Sequence, residues 1–185
     1  MTIEAQERPD KLLVEAAQDG HLESFGALYQ RYYSSMVTLA YSMFADRDLA
    51  EDAAQESFVV ACRDLSHLKN KDKFGPWLAG ICRNITRQMY RAEGKSIALN
   101  VSASPENESK KDCRVDAICR AVWKLPASDR ELIVLRYYDN MHYEQIAQIL
   151  DISIQAVNGR LIRAKRKIAK YLKRDGFTRD SYKTH

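Results

Sequence analysis

YEQIAQILDISIQAVNGRLIRAKRKIAKYL, residues Tyr143 to Leu172, decides the fold. Ile146, Ala147 and Leu150 recur at helical spacing, and so do Val157, Leu161, Ala164 and Ile168. Each set forms one apolar stripe on a helix. Asp151 and Ile152 interrupt the pattern as a turn. Ser153 can then cap the second helix, because its hydroxyl accepts a bond from a free amide of the first turn. Small Ala147 lets the second helix cross close to the first, and the whole reads as a helix-turn-helix.

The residues off the stripe indicate what the second helix is for. Gln155, Ala156, Asn158 and Gly159 come early, where a recognition helix meets base edges. Arg160, Arg163, Lys165, Arg166, Lys167 and Lys170 follow, and no acid occurs between Ser153 and Arg174. A helix dipole favours cations near its C-terminus, so part of this charge is ordinary. A solvated helix, however, usually mixes both signs for i,i+4 pairing. One sign throughout repels itself until a polyanion neutralises it, which favours DNA as the partner.

Outward from this motif the chain reads as all-α. Val115, Ile118, Val122 and Leu125 predict a helix that stops before Pro126. Ser128 and Glu131 have the spacing of a capping box ahead of ELIVLRYY. In the first half, Asp10 is placed to cap KLLVEAAQD, with Gly20 ending that helix. Phe25, Leu28, Tyr29, Tyr32, Met36, Leu39, Ala40 and Met43 mark a long amphipathic helix, and Asp46 or Asp48 starts a third. There Leu49, Ala53, Ser57, Val60 and Ala61 can face inward. Glu51, Asp52, Gln55 and Glu56 then face outward, a pattern equally suited to a solvated surface or a protein-binding one.

LSHLKNKDKF, from Leu65 to Phe74, breaks the periodicity and gathers Lys69, Asn70, Lys71 and Lys73. A helix follows with Pro76 in its first turn. Its core side carries Trp77, Leu78, Ile81, Ile85 and Met89; Arg83, Asn84, Arg87, Gln88 and Arg91 make a basic face. A basic loop feeding a basic helix is a plausible nucleic-acid surface. From Glu93 to Asp112 the sequence is rich in Ser, Asn, Glu and Lys without periodicity, as expected of a flexible linker between two small helical domains.

Several function classes are disfavoured. The net charge of +4 is modest but unevenly spread, with acids between Asp46 and Glu56 and bases after Arg160. No apolar run approaches the ~20 residues that cross a bilayer, and the N-terminus lacks a signal-peptide core, so a cytoplasmic protein without membrane insertion is expected. Cysteines at 62, 82, 113 and 119 show neither CxxC pairs nor zinc-site spacing. With four scattered histidines, no phosphate loop and no nucleophile constellation, neither an enzyme nor a cofactor or metal is expected.

Together, AEDAAQESF at 50 to 58, FGPWLAGICRN at 74 to 84 and LPASDRELIVLRYYDNMHYEQIAQILDISIQAVNGRLIRAKRKI at 125 to 168 resemble the extracytoplasmic-function (ECF) RNA polymerase sigma factors. The resemblance implies a bacterial alternative sigma factor that binds core RNA polymerase and directs promoter-specific initiation. It implies a region 2-like domain at 1–93, a linker at 94–111, a region 4-like domain at 112–175 and a tail at 176–185. In that pattern Leu49, Asp52, Gln55 and Glu56 belong to the polymerase-docking helix. Lys69, Asn70, Lys71, Lys73, Arg83, Asn84 and Arg87 hold the −10 strand and its flipped base. Ser153, Gln155, Ala156, Asn158, Arg160, Arg163 and Arg166 meet the −35 duplex.

An anti-sigma factor is a further candidate partner that the family often uses. Departures from the family pattern include Gln155-Ala156 for Gly-Thr, Asn158-Gly159 for Lys-Ser, Asp151 for the turn Gly, His142 for Ser or Thr, and Pro76 for Thr. They bear on promoter sequence rather than fold. A stand-alone helix-turn-helix regulator and a polymerase-binding adaptor that does not open DNA are the other readings. The first has no need of the acidic face, and the second has none of the loop and Asn84.

Overall fold

The computed structural model describes residues 8–92 and 113–177, and among them eight α-helices and no strand. The expected linker at 94–111 and residues 178–185 of the tail fall outside these residues.

The first half packs α1 (Asp10–Gln18), α2 (Leu22–Phe44), α3 (Arg47–Asp64) and α4 (Phe74–Ala92) around one core. Leu28, Met36, Leu39 and Phe44 of α2 are fully enclosed. α3 turns a small-residue stripe inward, Ala50, Ala53, Ala54, Ser57 and Ala61, so its backbone can approach α2 and α4 closely. The buried Ser57 hydroxyl donates to the Ala53 carbonyl at 2.5 Å, which avoids the cost of an unpaired polar group. Asp46 caps α3 by accepting from the Leu49 amide, as expected. Asp10 does not cap α1: Pro9 precedes the helix, and the Asp10 carboxylate instead accepts from Arg31 and from the Tyr32 hydroxyl across on α2. A cross-helix ion pair has won over a local cap.

Between α3 and α4 the chain forms two single 3₁₀ turns, Leu65–His67 and Lys71–Lys73. Gln18 holds this connection to α1, donating to the Leu65 and Leu68 carbonyls at 2.8 and 3.2 Å. Pro76 does fall in the first turn of α4, and Trp77 is half-buried beside Phe74.

The second half contains α5 (Cys113–Trp123), α6 (Ala127–Tyr137), α7 (Tyr143–Leu150) and α8 (Ile154–Arg174). Two sequence expectations fail here. α5 buries Ala117 and Ala121 and leaves Ile118 exposed, because small residues let α5 sit tightly against its neighbours. The Ser128–Glu131 capping box does not form: α6 starts directly after Pro126, which places Ser128 inside the helix and frees Glu131 for a partner elsewhere. The helix-turn-helix is as read. Asp151 takes the left-handed conformation at φ 53°, and the Ser153 hydroxyl accepts from the Ala156 amide at 3.1 Å.

The halves are packed on each other, α2 against α6 and α4 against α7. Leu132, Leu135, Ile146, Val157, Leu161 and Ala164 form the second half's own core. Ile149 of α7 does not belong to it; at 3% exposure it is sealed into the core of the first half. Burying such a side chain is worth about 1.5–3 kcal/mol. Nearby, Arg130 of α6 stacks 4.4 Å from the Trp123 ring and donates to the Ser42 carbonyl of α2, while Tyr41 stacks on Tyr138. Burial pulls the Arg130 guanidinium below its ordinary range, as expected for a cation enclosed by aromatic and backbone groups.

Candidate nucleic-acid interface

The acidic surface arises from the way α3 divides. Its alanine stripe faces the core, so Asp52, Gln55, Glu56 and Val59 are left exposed on the far side, with Leu49 half-buried at the edge. Glu51 is paired with Arg47 at 2.7 Å and Asp64 with Arg63 at 2.8 Å. Among the described residues Asp52 and Glu56 have no ion pair, so their charge is available to a partner.

The basic loop is less free than its sequence suggests. Lys69, Asn70 and Lys73 are exposed, but the Asn70 side-chain oxygen accepts from the Asp72 amide at 3.2 Å and holds the turn. Lys71 is half-buried and sits 3.5 Å from Glu15, while Lys73 pairs with Asp151 of the helix-turn-helix. On α4, Asn84 and Arg87 are exposed neighbours, 3.5 Å apart between Oδ1 and Nη1. Arg83 turns away from them: its Nε lies 3.0 Å from Glu131 Oε1 on α6, with both side chains largely covered. Its pairing partner is 48 positions away, and nothing in the local pattern announced it.

On α8, Gln155, Asn158, Arg163 and Arg166 are exposed on the face opposite Val157, Leu161 and Ala164; Ala156 and Arg160 are half-buried at its flanks. Ser153 is used as the cap. Ile154 and Ile162, 44% and 42% exposed, stand on the same polar surface and were not among the expected readers. The sequence reading gave them no role, although neither fits the Val157, Leu161, Ala164 and Ile168 stripe. The other cations divide by role. Lys167 is bound to Asp129 at 2.6 Å and Lys124 to Asp175 at 2.9 Å, which tie the length of α8 to α6 and α5. Lys165 lies over the Tyr137 ring, and hydrogen bonding to the Tyr137 hydroxyl raises its pKa.

One chain thus carries an exposed acidic face on α3, a basic loop and helix, and a cationic second helix in a helix-turn-helix. Two family profiles match it in the same order: Sigma-70 region 2 over residues 28–96 and Sigma-70, region 4 over residues 116–168. The ECF RNA polymerase sigma-E factor of Escherichia coli (strain K12) is 28% identical over 181 residues, covering 89% of this chain and 94% of that protein. The chain belongs to the ECF sigma factors.

The sigma-E factor of Haemophilus influenzae is 26% identical, with 89% of this chain and 95% of that protein covered. Among solved structures, CnrH in complex with the cytosolic domain of CnrY is 26% identical and superposes with a TM-score of 0.62 over 91% of this chain and 99% of that one. RpoE from Bartonella quintana, solved with the anti-sigma factor NepR, shares the fold at 22% identity and a TM-score of 0.53, over 82% of this chain and 98% of that one. As an ECF sigma factor the chain is an alternative sigma factor that directs transcription initiation, with core RNA polymerase and promoter DNA as partners. Among the described residues no helix is long and apolar enough to cross a membrane.

Proposed function

We propose that the sigma activity is divided among three surfaces. Leu49, Asp52, Gln55 and Glu56 dock on core polymerase. Lys69, Asn70, Lys71, Lys73, Asn84 and Arg87, with Arg83 once it is released from Glu131, hold the opened −10 strand. Unstacking a base costs a few kcal/mol, and a pocket edged by backbone-binding cations can offset it. Gln155, Ala156 and Asn158 read or approach −35 base edges from the helix capped by Ser153, and Arg160, Arg163 and Arg166 bind phosphate or guanine. Ile154 and Ile162 are suited to thymine methyl groups on that same face.

In this reading the region 2-like domain spans 1–93, a linker 94–111, the region 4-like domain 112–175 and a tail 176–185. The protein acts in the cytoplasm, without catalysis of its own. An anti-sigma factor is a further partner in this reading, in keeping with CnrH having been solved with a bound polypeptide, the cytosolic domain of CnrY.

The observation that carries the reading is the exposed pair Asp52 and Glu56, neither in a salt bridge, on a helix where Glu51 and Asp64 are paired with Arg47 and Arg63. A stand-alone regulator gains nothing from such a face. The deciding experiment adds the purified protein to bacterial core polymerase with a pool of promoter fragments from its own genome. Specific transcripts are expected. Binding to core without initiation would favour the adaptor, and duplex binding without core would favour the stand-alone regulator.

A further inference from the structure

The two DNA-binding surfaces are not merely joined by the chain; they are held against each other. Lys73, from the −10 loop, is paired with Asp151 at the turn of the helix-turn-helix. Asp72, Lys73 and Pro76 share a groove with Ser153 and Ile154, the first turn of the recognition helix. By their names the −10 and −35 elements are roughly 25 base pairs apart, on the order of 80 Å along B-DNA. Surfaces in side-chain contact cannot meet both at once.

The contact is specific in chemistry. Ile149 lies on the side of α7 that its own domain does not use and fills the core of the other. Glu131 and Asp151 place carboxylates on Arg83 and Lys73, where DNA phosphates would otherwise sit. Ser34 donates to Asp139 at 2.5 Å, and Arg130 closes on the end of α2 through the Ser42 carbonyl. Meanwhile Asp52, Gln55 and Glu56 are exposed.

We propose that this sigma factor is self-latched: without polymerase, the Ile149 anchor and the Arg83–Glu131 and Lys73–Asp151 pairs hold its DNA-reading domains shut, while the α3 face stays open to polymerase. The acids act as internal substitutes for phosphate. Docking through α3 then precedes opening, and opening releases the −10 cations. The latch rests on the promoter-reading roles given above, but its closure can be measured without them.

Small-angle X-ray scattering of the full chain alone is the first measurement. A closed chain of this length has a radius of gyration of about 16 Å. Ile149→Glu, which removes the anchor without touching a DNA-facing residue, should raise the radius by more than roughly 3 Å and increase the affinity for single-stranded −10 DNA at least tenfold. A parent chain already expanded, or an expanded variant with unchanged DNA affinity, overturns the proposal.

Should Ile149→Glu fail to fold, as circular dichroism would reveal, Ser34→Cys with Asp139→Cys tests the same closure from the opposite direction. In a background with serine at positions 62, 113 and 119, oxidation should lock the domains and abolish initiation with core polymerase, and reduction should restore it. Equal initiation when locked overturns the latch. Failure of the reduced protein to initiate anywhere counts against the sigma roles instead, and scattering still judges the closure.

Discussion

Tyr32 closes directly over Gly75: a β-carbon at position 75 would stand 3.0 Å from Tyr32 Cε1 and 3.1 Å from its hydroxyl oxygen. The ring has little room to retreat, being buried, in contact with Phe74 and bonded to Asp10. Gly75→Ala should therefore destabilise the fold by about 1–3 kcal/mol through overpacking. Urea unfolding checks this, and an unchanged midpoint would mean that the ring moves freely.

Tyr32 also links stability to alkaline pH. Burial, and then the bond to Asp10, hold its phenol well above the ordinary value. An unfolded chain releases that proton near pH ~10 while the folded chain keeps it, so above this pH the unfolded state binds fewer protons and stability falls as pH rises. Tyr32→Phe should lose about 1–2 kcal/mol at neutral pH with the hydrogen bond. Its decline above pH ~10 should be shallower than the parent's, as paired denaturant titrations at the two pH values would record.

Reversing the two exposed carboxylates, Asp52→Lys with Glu56→Lys, should weaken binding to core polymerase at least about tenfold. Both side chains are exposed, so stability should change by no more than about 0.5 kcal/mol per site. Equal polymerase affinity in a pull-down titration would remove α3 from the interface.

Arg163 is exposed on the face of α8 opposite Val157, Leu161 and Ala164, the face proposed to meet the −35 duplex. If it neutralises a phosphate, Arg163→Ala should weaken −35 duplex binding and flatten the slope of log affinity against log salt by about one unit. A lost base preference at unchanged slope would instead make it a base reader.

Cys82 of α4 is enclosed against α2 and α3, and burial raises its thiol pKa. The thiolate is the reactive form, so Cys82 should resist alkylation in the native protein while exposed Cys62 and Cys119 react. Mass spectrometry of maleimide-treated samples with and without urea would show whether protection is lost only on unfolding.

Much of the architecture was legible because it is local. The stripes of α2 and α8, the Asp46 and Ser153 caps and the Asp151 turn each follow from residues within a few positions of one another. Errors arose where distant residues compete. Asp10 and Glu131 read as local capping groups, and both are occupied by arginines from other helices. The polar faces proposed to bind partners were visible as patterns of exposed side chains. That Arg83 and Lys73 are already paired was not, since a carboxylate 48 or 78 positions away leaves no trace in the local periodicity.

Ile149 has a consequence for how such proteins can be recombined. A helix-turn-helix module carrying it is not interchangeable between region 2 partners of different surface shape. Grafted elsewhere, the module would present a bare isoleucine beside Met141, a sticky spot inviting self-association. Chimeric promoter readers built from this chain would need a polar residue at position 149, or would have to carry the matching surface of α2 and α4 along with it.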